Sequence, residues 1–148
     1  MVTVKTNIKV VAQLIQEKLD KLKDKDYLLR PVAFDAIDLM TKRIHIDGLA
    51  SDGNPIGNYS KGYLKLRESK YKRSSDPKVI ISLTSQLEND WSVIATNKGY
   101  GIGFLNSHNF DKSQWVQETY GKKIFDLTAA EYQHCIDRLG ELTSEALK

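Results

Sequence analysis

The chain has 148 residues, of which 41% are hydrophobic and 28% charged, and a formal net charge of +3. That is an ordinary globular composition, long enough for one domain with a real core. No apolar run approaches bilayer length, the opening Met1-Val2-Thr3-Val4-Lys5 has no signal-peptide core, and the lone Cys135 has no internal partner, so a protein of a reducing cytoplasm is expected.

Residues 8–23 predict an amphipathic helix, because Ile8, Val11, Ile15, Leu19 and Leu22 recur at three- and four-residue steps. Asn7 is its expected N-cap. A second helix is expected to start near Arg30-Pro31, since proline suits a first turn, and Val32, Ala33, Ala36, Ile37, Met40 and Ile44 give it an apolar face. Gly48 fits its stop. These helices are expected to bury their stripes against a sheet or each other, with the helix over 7–23 the segment able to stand as a peripheral arm.

Residues 47–59 are turn chemistry, rich in Gly, Asn, Asp and Pro. Asp47, Asp52 and Asn54 invite a calcium-loop reading, but the closing glutamate that such a loop needs is missing, and no metal is expected. Between Lys61 and Lys78 stand seven basic and two acidic residues, so the segment is +5 and the remainder −2. Tyr63, Leu64 and Leu66 can anchor a short helix there, and residues 68–77 read as an exposed, mobile loop. The basic residues suit a solvated loop or a polyanion nearby.

The β-branched run over 79–83 predicts a strand, and residues 91–96 a second. Asn97-Lys98-Gly99 predicts a hairpin turn, and residues 100–105 the return strand. Tyr100, Ile102 and Phe104 share one face of it. Gly101 and Gly103 leave the other bare, a pattern that often admits a second backbone. Residues 107–121 read as irregular. Thr128 and Glu131 form a capping box for a closing helix that runs through Tyr132, Cys135, Ile136, Leu139 and Leu142 to about Leu147. Together these elements predict one α+β domain over 1–148: a small antiparallel β-sheet packed with an N-terminal helix pair and a C-terminal helix.

Candidate chemistry is sparse. His45 and His134 sit on helices, and Cys135 has apolar neighbours at helical spacing, so packing roles are expected. His108, with Asp111 nearby, is the best general-base candidate. Gly99, Gly101 and Gly103 alternate in a strand with no helix following, which is no dinucleotide fingerprint. No nucleophile, phosphate-loop or paired metal-ligand pattern is present, so a binding or structural role is expected, with no catalytic residues, cofactor or metal. Trp91 alternates with Val93 and Ala95 and is expected in the core. Trp115, in a polar stretch, is either a plug over the core or a partner anchor.

Taken in order, several elements resemble the virion-morphogenesis family of tailed phages, which includes tail-completion and head–tail joining proteins of the neck. The resemblance spans about Val32 to Leu147. It begins at Arg43-Ile44-His45-Ile46-Asp47-Gly48 and passes Asn58-Tyr59-Ser60 and Tyr63. It centres on Leu83-Thr84-Ser85-Gln86-Leu87, a T-G-x-L-like turn with Ser85 in the glycine's place, followed by Trp91-Ser92-Val93. Tyr120-Gly121 and Ile124-Phe125-Asp126-Leu127-Thr128 close it, with Lys122-Lys123 where the family often has a proline–arginine pair. The resemblance implies a non-enzymatic assembly protein of the virion. It would form a homo-oligomeric ring, six- or twelve-fold, around the DNA channel and meet other neck, portal or tail proteins but no membrane. Lys65, Arg67, Lys70, Lys72 and Arg73 would then face lumen DNA or an acidic neighbour, and Trp115 a partner. The alternative is a small nucleic-acid-binding or nuclease/toxin-like protein using His108, Lys112 and Tyr120.

Overall fold

An arginine buried at the end of the second helix sets the frame of the chain, and the elements around it are best taken from the N-terminus. The computed structural model describes residues 8–148, so the expected Asn7 cap lies outside the described residues. Helix α1 spans Ile8–Lys23 and α2 spans Lys25–Lys42. α2 begins earlier than Arg30-Pro31, because the Asp24 carboxylate accepts from the Asp26 and Tyr27 amides at 2.9 and 3.2 Å and caps it there. Pro31 therefore lies inside the helix, where its missing N–H removes one helical bond. α2 widens into a π-helical turn over Arg43–Asp47, in which Arg43, Ile44 and His45 are all buried. Gly48 ends it at φ 67°, and a Cβ there would sit 2.4 Å from the Val79 carbonyl oxygen. Both the left-handed backbone and the close approach require glycine.

The sheet is a single antiparallel hairpin, β1 over Trp91–Thr96 and β2 over Gly99–Phe104, with Thr96 opposite Gly99 and Trp91 opposite Phe104. Its inner face presents Trp91, Val93, Ile102 and Phe104. Trp91, Phe104 and Phe125 form a ring cluster with centroids 4.8–5.5 Å apart. No second backbone of the described residues approaches the glycines of the outer face: nothing lies within 4 Å of a Cβ at Gly101, and the Ile94 side chain lies 3.4 Å from one at Gly103. The core adds Met40, Ile44, Ala50, Ile56, Val79, Ile81 and Ile124.

Two expectations are corrected here. Residues 79–83 belong to no strand: after the isolated bridge of Asn58 with Lys78 the chain bends at Ile81 and Leu83, and the Ser82 amide donates back to the Ile80 carbonyl at 2.5 Å. Val79 and Ile81 alternate into the core as a strand would. Side chains, not a partner strand, take the carbonyls that follow. Residues 107–121 are not irregular either: α5 runs over Ser107–Tyr120, capped by the Asn106 side chain on the His108 amide and stopped by Gly121 at φ 61°. Its buried residue is Ser113, so no apolar stripe betrays it. Two short helices, α3 over Lys61–Ser69 and α4 over Gln86–Asp90, flank the segment over 79–83. The expected loop from residue 68 thus starts after α3, and Tyr71 and Arg73 within it are half-buried.

α6 spans Ala129–Leu147 and packs along α2. Its capping box is present: the Thr128 amide donates to Glu131 Oε2 at 2.8 Å and the Glu131 amide to Thr128 Oγ1 at 3.0 Å. α1 rests on α2 and α6, with Lys18 Nζ donating to the Leu147 carbonyl at 2.9 Å, but its stripe is not buried as expected. Of that stripe Val11, Ile15 and Leu19 stay 43–53% exposed while Leu22 is half-buried, and Val10 and Leu14 beside them are 56% and 52% exposed.

Arg43 joins the pieces. Its Nε donates to Glu131 Oε1 at 2.6 Å, Nη1 to the Leu49 and Ile124 carbonyls at 3.0 Å each, and Nη2 to the Asp126 carbonyl at 2.8 Å. One guanidinium thereby ties the π-helical turn, the loop after it, the segment before α6 and the α6 cap. Removing one partner of a buried pair strands the other. Arg43→Lys, which keeps the charge but not the fork, is expected to lower unfolding stability in urea by about 3 kcal/mol.

Candidate functional site

The residues around the T-G-x-L-like turn build a cleft of about 420 Å³ between α3, the segment over 79–83 and α5. Ser60 caps α3 by accepting from the Tyr63 amide at 3.3 Å, which starts the helix where Tyr63 and Arg67 fall four residues apart on one side. Tyr59 precedes the cap. α5 contributes Lys112, Trp115, Val116, Thr119 and Tyr120 to the opposite wall.

That segment forms the floor, and its carbonyls are met one after another. Tyr59 Oη donates to the Ile80 carbonyl at 2.5 Å, His45 Nδ1 to Ile81 at 2.5 Å, Arg67 Nη1 to Ser82 at 2.7 Å and Arg73 Nε to Leu83 at 2.9 Å. Buried carbonyls need donors, and here four side chains supply what a neighbouring strand would. Ser85 then turns the chain at φ 61°, a left-handed backbone that favours glycine, and its Oγ accepts from Arg73 Nη2 at 3.3 Å.

Electrostatically, the cleft is built on tyrosine. The Tyr59 and Tyr63 rings lie 5.1 Å apart, and the Arg67 guanidinium sits 4.4 Å from the Tyr59 centroid and 5.9 Å from that of Tyr63. Burial pushes the Tyr59 phenol up to about 12 and raises that of Tyr120 as well, so both remain neutral donors. Behind the floor, burial holds His45 below its ordinary value of 6.5 and outweighs the Glu88 carboxylate 3.6 Å away. The neutral ring then donates through Nδ1, which fixes its tautomer.

The predicted site residues separate into two groups. Lys65, Lys70 and Lys72 are exposed, Lys70 lying over the Tyr71 ring at 5.4 Å. Arg67 is 2% exposed and Arg73 half-buried, both held on the segment over 79–83, so neither guanidinium stands on the outer surface where a lumen or neighbour contact was expected. Trp91 is buried. Trp115 is 55% exposed, so it is no plug over the core: it stands at the cleft edge with the His108 ring 6.2 Å away. His108 lies in the first turn of α5, not in a loop, and the twelve residues from it to Tyr120 span about 18 Å of helix, too far for one catalytic set. Lys112 Nζ donates to Gln86 Oε1 at 2.7 Å. Asp52 accepts from the Asn54 amide at 2.9 Å and pairs with Lys122 at 3.5 Å. Burial raises the Cys135 thiol, an unreactive setting. Sequence reasoning missed Arg43, Glu131 as its partner, and the cleft itself.

Comparison of the chain with known protein families, curated proteins and solved structures gave no match. No helix of the described residues is long and apolar enough to cross a membrane.

The His45 environment makes stability pH-dependent. The unfolded chain takes up a proton near 6.5 that the folded chain resists, so stability is full above that value and lost on acidification. Urea midpoints of the wild type are expected to fall between about pH 7 and 5, and those of His45→Gln, which keeps a donor for Ile81, to fall less. Ser85→Gly removes a left-handed serine at the cost of one long hydrogen bond. It is expected to raise unfolding stability by about 0.5–1 kcal/mol in the same assay.

Proposed function

We propose that this chain is a structural protein of a tailed-phage neck, acting in tail completion or head–tail joining. It works as a subunit of a six- or twelve-fold ring around the DNA channel, and it resides in the virion after assembly in the host cytoplasm. The observation that carries the reading is the order of elements around the turn: left-handed Ser85, the helical turn carrying Leu87, then β1 at Trp91 and the hairpin. The family resemblance expects this turn and the strand after it; the strand it also expects before the turn is absent among the described residues.

The N-terminal arm adds support. α1 holds five apolar side chains about half exposed, and a monomer gains nothing from leaving them in water. Covering them against a neighbour would contribute roughly 1 kcal/mol each before ordering costs, a useful increment for a repeated contact. Heterologous contacts repeated around an axis close into rings.

Lys65, Lys70 and Lys72 then form the basic edge that meets lumen DNA or an acidic neighbouring ring. Replacing the three together with Gln is expected to reduce genome retention or head–tail joining at least about tenfold, with the melting temperature unchanged. Unchanged assembly and infectivity would remove the basic edge. Infectious particles without this polypeptide would remove the neck assignment itself.

A further inference from the structure

Two arginines of this chain are buried, and they are treated differently. Arg43 meets a carboxylate and three carbonyls. Arg67, 2% exposed, donates only from Nη1, to the Ser82 carbonyl at 2.7 Å. Among the described residues its Nε is buried without an acceptor, its Nη2 makes no hydrogen bond, and no carboxylate pairs with it. The two nitrogens left over are those of the guanidinium's side edge, the pair that grips a carboxylate with two parallel hydrogen bonds. A buried cation without an anion is costly, and the nearby π-faces of Tyr59 and Tyr63 offset that only in part.

Arg67 lines the 420 Å³ cleft, whose volume lies in the range of small-molecule sites. The walls are chiefly ring and aliphatic surface: Tyr63, Tyr120, Trp115, Val116 and Leu83. The other cation, Lys112, is already engaged with Gln86.

We propose that the cleft is a binding site for an organic carboxylate with an apolar body, whose carboxyl group pairs with Arg67 while the body lies between the tyrosines and α5. A single planar fork matches a single planar anion. An inorganic phosphate would bring more charge than one guanidinium balances and no surface for the rings to cover. The site rests on Arg67 and the cleft alone. A failed joining assay would leave it standing, and an unfilled cleft would leave the neck assignment standing.

The test titrates the full chain with 3-phenylpropionate, its neutral amide and inorganic phosphate, following the Arg67 Nε–H and Trp115 indole resonances by NMR. Saturable shifts of both with the carboxylate, at a Kd of about 1 mM or tighter, are expected, with the amide at least about tenfold weaker and phosphate without effect on Trp115. Arg67→Lys keeps the charge and removes the fork, and should weaken 3-phenylpropionate about tenfold. In case that variant does not fold, Thr119→Phe fills the cleft from the far wall and should abolish the Trp115 shift while leaving Arg67 intact. Equal binding of the amide would overturn the proposal. So would phosphate acting like the carboxylate, binding that survives in Thr119→Phe, or no saturable shift up to about 10 mM.

Discussion

Arg43 and Glu131 stand 88 residues apart in sequence and 2.6 Å apart in space, and the architecture depends on that contact. The sheet has two strands, which alone would be marginal in water, and the helices bury few large side chains. What closes the domain is a guanidinium whose three nitrogens all donate. It accepts the bend imposed by the π-helical turn and converts it into a junction, since Glu131 is held in turn by the α6 capping box. A desolvated ion pair is weak evidence for stability when its groups are poorly satisfied. Here the geometry satisfies both partners, and the three backbone carbonyls would otherwise lack donors in a region of Ile44 and Ile124, both fully buried.

The same device recurs around the cleft. Residues 80–83 bend at Ile81 and Leu83 and form no strand, and Tyr59, His45, Arg67 and Arg73 donate to their carbonyls instead of a partner strand. This leaves the cleft side of the segment unobstructed by a third strand, and it places a charged group and two phenols at the floor. In the neck reading, such a fold gives a subunit two unlike surfaces, an apolar arm and an aromatic cleft.

Much of this was legible from local signals. The capping box at Thr128, the stop at Gly48 and the hairpin over residues 91–104 rest on chemistry within a few residues, and they appear where expected. The α+β class, with a helix pair before a small sheet and a helix after it, follows from them. Periodicity misled at residues 79–83, because β-branched alternation reports burial and is silent on whether a partner strand exists. α5 escaped because it turns Ser113 inward and leaves Phe110 and Trp115 outward, against any amphipathic template. Asp24 is hidden as a cap by the charged run Lys23-Asp24-Lys25-Asp26, although it lies before Asp26 and Tyr27 as a cap should. The arginines could not be sorted from sequence at all. Arg43, Arg67 and Arg73 differ from exposed lysines nearby only through which carbonyls, and for Arg43 which carboxylate, the fold brings within reach, and those partners are 6 to 88 residues away.

The central claim is that Arg43 is a structural fork whose three nitrogens all donate in buried or half-buried hydrogen bonds. Exchange of guanidinium Nε–H protons with solvent, measured by nitrogen-15 NMR on the intact chain, tests it most directly. The account predicts that the Arg43 Nε–H exchanges at least about 100-fold more slowly than that of exposed Arg30, corresponding to an opening free energy near 3 kcal/mol. An Arg43 proton that exchanges as fast as the Arg30 proton would contradict it.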